Sequence, residues 1–264
     1  MTKKPGVFRE FYAGVGTLGQ GLKLWGTAPR IMWLGVVPAL IVGIVFFAGI
    51  LVLAFNLDSI AAWATPFADD WDEPFRTGTR VLAVLAFLAL TVLIVVFTFT
   101  AITLIVGDPF YERIWSHVEK SLGDAPQAPE VGFWATAGRG ILDALRILIP
   151  TVFIGLSLFA LGFVPIVGQV AAPVLAAFFA GWFLTVELTG FAFDARGHSL
   201  KQRRKALGAS RARTLGFGVA TYLLFLLPLG AILVMPAAVA GATVLSRNAL
   251  ERQAVAARQA RAAG

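Results

Sequence analysis

Residues 147–186 read ILIPTVFIGLSLFALGFVPIVGQVAAPVLAAFFAGWFLTV, forty positions without a charged side chain. As one straight helix the run would be ~60 Å long at about 1.5 Å per residue, roughly twice the ~30 Å hydrocarbon core of a bilayer. It has to fold back on itself. The cluster VPIVGQ (164–169) marks where, because proline removes a backbone donor and glycine tolerates a tight bend. The stretch therefore predicts a hydrophobic helical hairpin with its tip at Pro165 to Gly168. Its limbs of about 17 or 18 residues lie at the lower limit for a full crossing, so length leaves the depth of this hairpin open.

Three further uncharged runs flank it. Residues 31–57 and 81–107 are each 27 residues long and predict two transmembrane helices, the first with Pro38 inside it. Residues 215–246 form a second long run, interrupted at Leu227-Pro228-Leu229-Gly230 and again at Met235-Pro236. Its first limb of about 13 residues is too short to cross, so this hairpin is expected to be re-entrant.

Between the runs, Asp108-Pro109-Phe110 looks like a helix start, with Asp108 as N-cap and Pro109 in the first turn. Phe110, Ile114, Val118 and Leu122 then recur in steps of four, predicting an amphipathic helix on the membrane surface that stops at Gly123-Asp124-Ala125-Pro126. A second approach helix is expected over 130–146, with Phe133, Trp134, Ile141, Leu142 and Leu145. The N-terminal thirty residues, with Phe8, Phe11, Tyr12, Val15, Leu18, Leu22 and Trp25, predict an interfacial amphipathic helix rather than a signal peptide.

Composition agrees with this layout. The chain is 58% hydrophobic and only 14% charged, with a mean hydropathy of +0.80, against about 25% charged residues in soluble domains. Cysteine is absent and the two histidines, His117 and His198, are far apart, which argues against thiolate chemistry and a histidine metal site. No GxSxG, HExxH or Walker motif is present, so neither an enzyme nor a bound cofactor is expected. The formal charge of +7 sits in loops, not in a basic soluble domain, so no nucleic-acid partner is expected. In chain order the five polar segments hold 5, 2, 4, 7 and 4 lysines plus arginines. The poor one, 58–80, is thus the outside loop, and both termini are cytoplasmic.

Gln169 is the one strongly polar side chain deep in the central run. Its amide, with the backbone amides that begin the second limb, could contact an anion at the positive end of that helix; equally it could cap the turn or join two helices. The four apolar runs contain no Asp, Glu, Lys, Arg or His. An ion-coupled pump needs such groups at depth, so a passive, channel-like path fits better. Small residues at Ala176, Ala177, Ala180 and Gly181 would permit close helix approach and homo-oligomerisation.

The order of these punctuation marks resembles a known family. Gly-Leu-Lys-Leu-Trp (21–25) precedes Pro29 and Pro38, Asp108-Pro109-Phe110 follows a long span, and VPIVGQVAAPV (164–174) holds Pro165 and Pro173. Phe-Asp-x-x-Gly-His (193–198) and LLPLGAILVMPAAVAGATVL (226–245), with Pro228 and Pro236, complete the series. The chain is similar to the CysZ family of bacterial membrane proteins, related to the etoposide-induced membrane proteins. The resemblance implies an all-α integral membrane fold with two transmembrane helices, two membrane-embedded hairpins and interfacial amphipathic helices, forming one domain over 1–250 with an Ala/Arg-rich tail at 251–264. It makes both hairpins partial in depth. It also implies sulfate uptake across the bacterial inner membrane for sulfur assimilation, without an ATPase. A non-transporting scaffold or assembly factor of the same fold is the alternative. Family members carry a sulfate-binding arginine pair where Met32 and Trp33 stand here, which leaves Arg30 as the nearby guanidinium and, with Gln169 and Gly168, as the candidate anion contacts.

Overall fold

The computed structural model describes residues 6–123, 126, 133–227 and 229–263. Asp124, Ala125 and Pro228 lie outside the described residues, as do the side chains of Phe133, Trp134 and Ile141. The described chain is α-helical apart from turns, with ten helices and one short 3-10 turn. Among the described residues, five helical segments are long and apolar enough to cross a membrane: Pro29–Phe55, Glu73–Val95, Leu145–Gly162, Val167–Leu188 and Gly230–Ala262. These are the two expected spans and three of the four hairpin limbs. The protein is an all-α, multi-pass membrane protein.

Two compact units share the chain. One comprises Val36–Phe110. It holds the greater part of α2 (Pro29–Phe55), the short α3 (Leu57–Ala64), a 3-10 turn at Pro66–Ala68 and the first part of α4 (Glu73–Ser121). The rings of Phe46 and Phe99 meet edge to face at 5.7 Å, and Arg80 pairs with Asp69 at 2.7 Å across the polar loop. The other unit holds Met1–Gly35 and Tyr111–Gly264. Both passages between the units run through a helix beside a proline, Pro38 in α2 and Pro109 in α4.

That second passage corrects an expectation. Asp108-Pro109 does not start a new helix; α4 continues through it to Ser121, with Pro109 inside. Loss of one backbone hydrogen bond is tolerated in a long helix whose neighbouring bonds stay intact. Likewise the approach helix and the first hairpin limb are one element, α5 (Phe133–Gly162), and Met235-Pro236 does not interrupt α10 (Gly230–Ala263).

In the larger unit, α5 turns at residues 163–166 into α6 (Val167–Leu188), and α9 (Arg211–Phe225) is followed by α10 from Gly230, with Leu226, Leu227 and Leu229 described between them. The short α7 (Gly190–Asp194) and α8 (Leu200–Gly208) link the two hairpins. The hairpins touch backbone to backbone, because α6 and α9 present Gly181 and Gly218 to each other. A methyl group on Gly218 would stand 2.0 Å from the Gly181 carbonyl oxygen. Gly181, expected at an oligomer contact, is thus occupied within its own chain.

The N-terminal helix α1 (Val7–Thr27) is amphipathic as expected, but its buried stripe is Gly14, Thr17, Leu18 and Gly21. Phe8 and Tyr12, expected on that face, are exposed. The reason is packing distance: α1 lies on α9 and α10, and a methyl group on Gly14 or Gly21 would sit 2.0 Å from a carbonyl oxygen of Arg213 or Ala237. Only small residues allow that approach. Around this contact the core closes with Phe193, Phe217, Met32, Ile114, Leu207 and Leu245.

Candidate functional site

The first hairpin's tip is built by its sequence. The Val167 N–H donates to the Pro165 carbonyl at 2.7 Å, a γ-turn centred on Ile166, whose φ of 66° and ψ of −63° place a β-branched residue in a strained region. The Gly168 N–H donates to the Val164 carbonyl at 2.9 Å. A methyl on Gly168 would lie 1.9 Å from the Leu161 carbonyl oxygen, so glycine alone fits there. The second hairpin repeats the device: Leu229 has φ 60°, and a methyl on Gly230 would lie 2.0 Å from the Leu224 carbonyl oxygen. The turn itself uses the Val167 and Gly168 amides, two of the donors that would have faced an anion. Gln169 is exposed in the first turn of α6.

Arg30 stands elsewhere. α1 rises from the base of the second hairpin, where Glu10 pairs with Arg213 at 2.9 Å, to Trp25, whose indole N–H donates to the Leu233 carbonyl at 3.2 Å. The chain then passes Ala28 and begins α2 at Pro29, so Arg30 follows five residues after the Trp25 contact with α10 of the second hairpin. Its side chain is exposed and has no partner among the described residues. Met32 is fully buried, Trp33 packs edge to face on Trp25 at 5.6 Å, and Gly35 packs on Pro236 and Ile114. The structure therefore brings Pro165, Ile166 and Gly168 together at one tip and joins the start of α2 to Pro236. Among the described residues no hydrogen bond joins Arg30 to Gln169.

At the opposite end of the hairpins lies a charged cluster absent from the expected sites. Glu119 on α4 is fully buried and receives both Arg196 guanidinium nitrogens at 2.9 Å, while Arg247 of α10 approaches it at 3.3 Å. A buried carboxylate is tolerable only with such pairing, and here two cations share it. The Phe-Asp-x-x-Gly-His stretch supplies much of this base. Phe193 fills the core, Asp194 pairs with the buried Arg203, Arg196 reaches Glu119, and Gly197 turns the chain with φ 68°. The His198 N–H then closes onto the Phe193 carbonyl at 3.0 Å. Arg203 also donates to the Val186 carbonyl at 3.1 Å, tying α8 to the end of α6. Nearby, burial raises the Tyr111 phenol above its ordinary pKa and keeps it neutral.

One signal in the sequence could have found Glu119. The buried face of α4 is Tyr111, Ile114, Trp115, Val118 and Glu119, whereas the expected Phe110 and Leu122 lie at its margin. A helix face read from the aromatic pair at Tyr111 and Trp115 runs straight into that carboxylate.

Comparison with known proteins places the chain. The profile of the family described as "Sulfate transporter CysZ/Etoposide-induced protein 2.4" matches residues 17–236. The chain belongs to this family. Among its curated relatives, the sulfate transporter CysZ of Pseudomonas fluorescens (strain Pf0-1) is 30% identical over 230 residues, covering 86% of this chain and 90% of the relative. The proteins of the same name from Pseudomonas aeruginosa (strain LESB58) and Pseudomonas paraeruginosa (strain DSM 24068 / PA7) are 30% and 31% identical over 233 residues, covering 86% of this chain and 91% of each relative. The family match takes in α2, both tips and the Phe-Asp-x-x-Gly-His turn, and ends at Pro236.

Proposed function

We propose that this chain is a bacterial inner-membrane permease for sulfate or a similar small oxyanion, feeding sulfur assimilation by a channel-like path that is not ATP-driven. The family relationship carries the reading, since the match spans most of the chain and the similar proteins are named sulfate transporters. The absence of Asp, Glu, Lys, Arg and His from the four apolar runs supports a passive path. Both termini are cytoplasmic on the lysine and arginine count, residues 1–250 act as one membrane domain, and the working form is a homo-oligomer embedded in lipid.

Among the candidate contacts, Arg30 is the cation to test. The places of the family's arginine pair are taken by a buried methionine and a stacked tryptophan, while Arg30 is exposed and free to meet an anion. Gln169 is the second contact; Pro165 and Gly168 shape the turn that holds it. The same packing of Met32 and Trp33 is what favours the second reading, a scaffold or assembly factor that keeps the fold and has lost transport.

Uptake of radiolabelled sulfate into proteoliposomes separates the two. Wild-type vesicles should take up sulfate faster than protein-free ones. Arg30→Gln should lower the initial rate about tenfold, the scale of one lost charge-assisted hydrogen bond. Gln169→Ala should lower it less. A wild-type rate equal to that of empty vesicles would leave the scaffold reading standing.

A further inference from the structure

Between the two hairpins, on the side away from α1, runs a groove of about 440 Å³ whose chemistry changes along its length. Phe178, Phe179, Trp182 and Phe183 of α6 form its wall, and Arg204 and Arg211 stand at its base. Arg204 donates to the Arg146 carbonyl at 3.2 Å, but its Nε is buried without a hydrogen-bond partner, and Arg211 has no partner among the described residues. The groove is of ligand size, about 300–1,000 Å³. Phe178 precedes Glu187 by nine residues, so the aromatic wall climbs ~14 Å from the charged base at about 1.5 Å per residue. That is close to one leaflet, half of a ~30 Å hydrocarbon core.

We propose that this groove binds one anionic glycerophospholipid, its phosphate on Arg204 and Arg211 and one acyl chain against Phe178, Phe179, Trp182 and Phe183. Three features select this occupant. A fully apolar partner would leave the guanidinium charges of Arg204 and Arg211 at the groove's base unanswered. A small free anion would leave the aromatic wall uncovered. A lipid satisfies both at the depth where its headgroup and tail lie, and basic pockets between membrane helices are built for such headgroups. The proposal also gives the KQRRK cluster a division of labour: Arg203 is sealed inside against Asp194, while Arg204 faces the groove.

The test uses the full-length protein in vesicles and reads tryptophan quenching by phosphatidylglycerol or phosphatidylcholine brominated on the acyl chain. The difference between wild type and Trp182→Phe isolates the groove's signal. Brominated phosphatidylglycerol should reach half-maximal Trp182 quenching at a mole fraction about tenfold lower than brominated phosphatidylcholine. Arg204→Gln/Arg211→Gln should make the two lipids equivalent. If that double variant does not fold, Arg211→Gln alone, at an exposed position, should narrow the gap severalfold. Equal quenching by the two lipids in wild type overturns the proposal, as does a preference that survives loss of the arginines. Excess free sulfate that abolishes the preference assigns the arginines to a small-anion site and overturns it too. So does an absent Trp182 signal in a dimer that Trp182→Arg dissociates, because the groove then belongs to a second copy.

Discussion

The two hairpins use the same turn chemistry and do opposite things with it. Each has a proline, an aliphatic residue with positive φ and a glycine pressed onto the last turn of its first limb. Yet none of the apolar stretch of α5 is buried in protein, whereas two thirds of that of α10 is. The limbs differ in length as well. From the Gly181–Gly218 contact the charged bases are level, Glu187 six residues away on α6 and Arg213 five on α9. Toward the tips, Val167 is fourteen residues from Gly181 but Leu226 only eight from Gly218. At about 1.5 Å per residue, α6 runs ~9 Å farther from this contact than the second hairpin's first limb does. One hairpin is a long pair whose α5 limb is uncovered by protein; the other is a short pair roofed by α1. A turn motif decides where a chain reverses, and the residues flanking it decide what it reverses against.

The sharpest way to break the comparison is labelling from the two sides of the membrane, which the absence of cysteine makes clean. Cysteine at Gly168 would collide with the Leu161 carbonyl, so Ile166→Cys and Leu229→Cys are the better probes, both at exposed tip positions. An impermeant maleimide added outside should modify Ile166→Cys and leave Leu229→Cys untouched. Protection of both would put the two tips at half depth, as the family resemblance implies, and would mean the extra length of the first hairpin is taken up by tilt.

Next in size is the anchoring of the bases. Arg247 ties α10 to the buried Glu119, while the first hairpin's base has an exposed Arg146 paired at 3.1 Å with a half-buried Asp143. Glu119→Ala leaves Arg196 and Arg247 unpaired in a buried setting, a loss of about 3–5 kcal/mol, or a melting temperature lower by roughly 6–20 °C for a chain of this size. Asp143→Ala should cost no more than about 1 kcal/mol. Equal melting temperatures for the two variants in the same detergent would show that the second hairpin is not held from its base.

Most of the framework was legible in the sequence, since a membrane forces apolar runs of defined length and turns rich in proline and glycine. Both reversals fall where VPIVGQ and LLPLG put them. What escaped was whatever depends on a partner helix. Asp108-Pro109 reads locally as a helix start, but the segments on either side are both good helix formers and α4 runs through. The aromatic residues of α1 outweigh its glycines on any hydrophobicity scale, yet the glycines make the contact. Glu119 drew no attention in the sequence because the two arginines that pair with it lie 77 and 128 residues away. Gln169 was readable as the one strongly polar side chain deep in the central run, whereas Arg30 entered only through the family resemblance.

The glycines offer the finest test, because the chain contains both kinds in helices of similar composition. Gly21 of α1 faces the second hairpin, where an added methyl would meet the Ala237 carbonyl oxygen at 2.0 Å. Gly155 lies in α5 of the first hairpin, and a methyl there meets nothing within 4 Å. Helix propensity alone favours alanine over glycine by up to about 1 kcal/mol at both positions. If packing decides, Gly21→Ala should instead lose about 1–3 kcal/mol through overpacking, lowering the melting temperature by roughly 2–12 °C, and Gly155→Ala should hold or gain a few degrees. The sign of the difference matters more than its size. Two alanines that both stabilise would mean α1 can lift away from α10 without loss, and the second hairpin would then face lipid as the first one does.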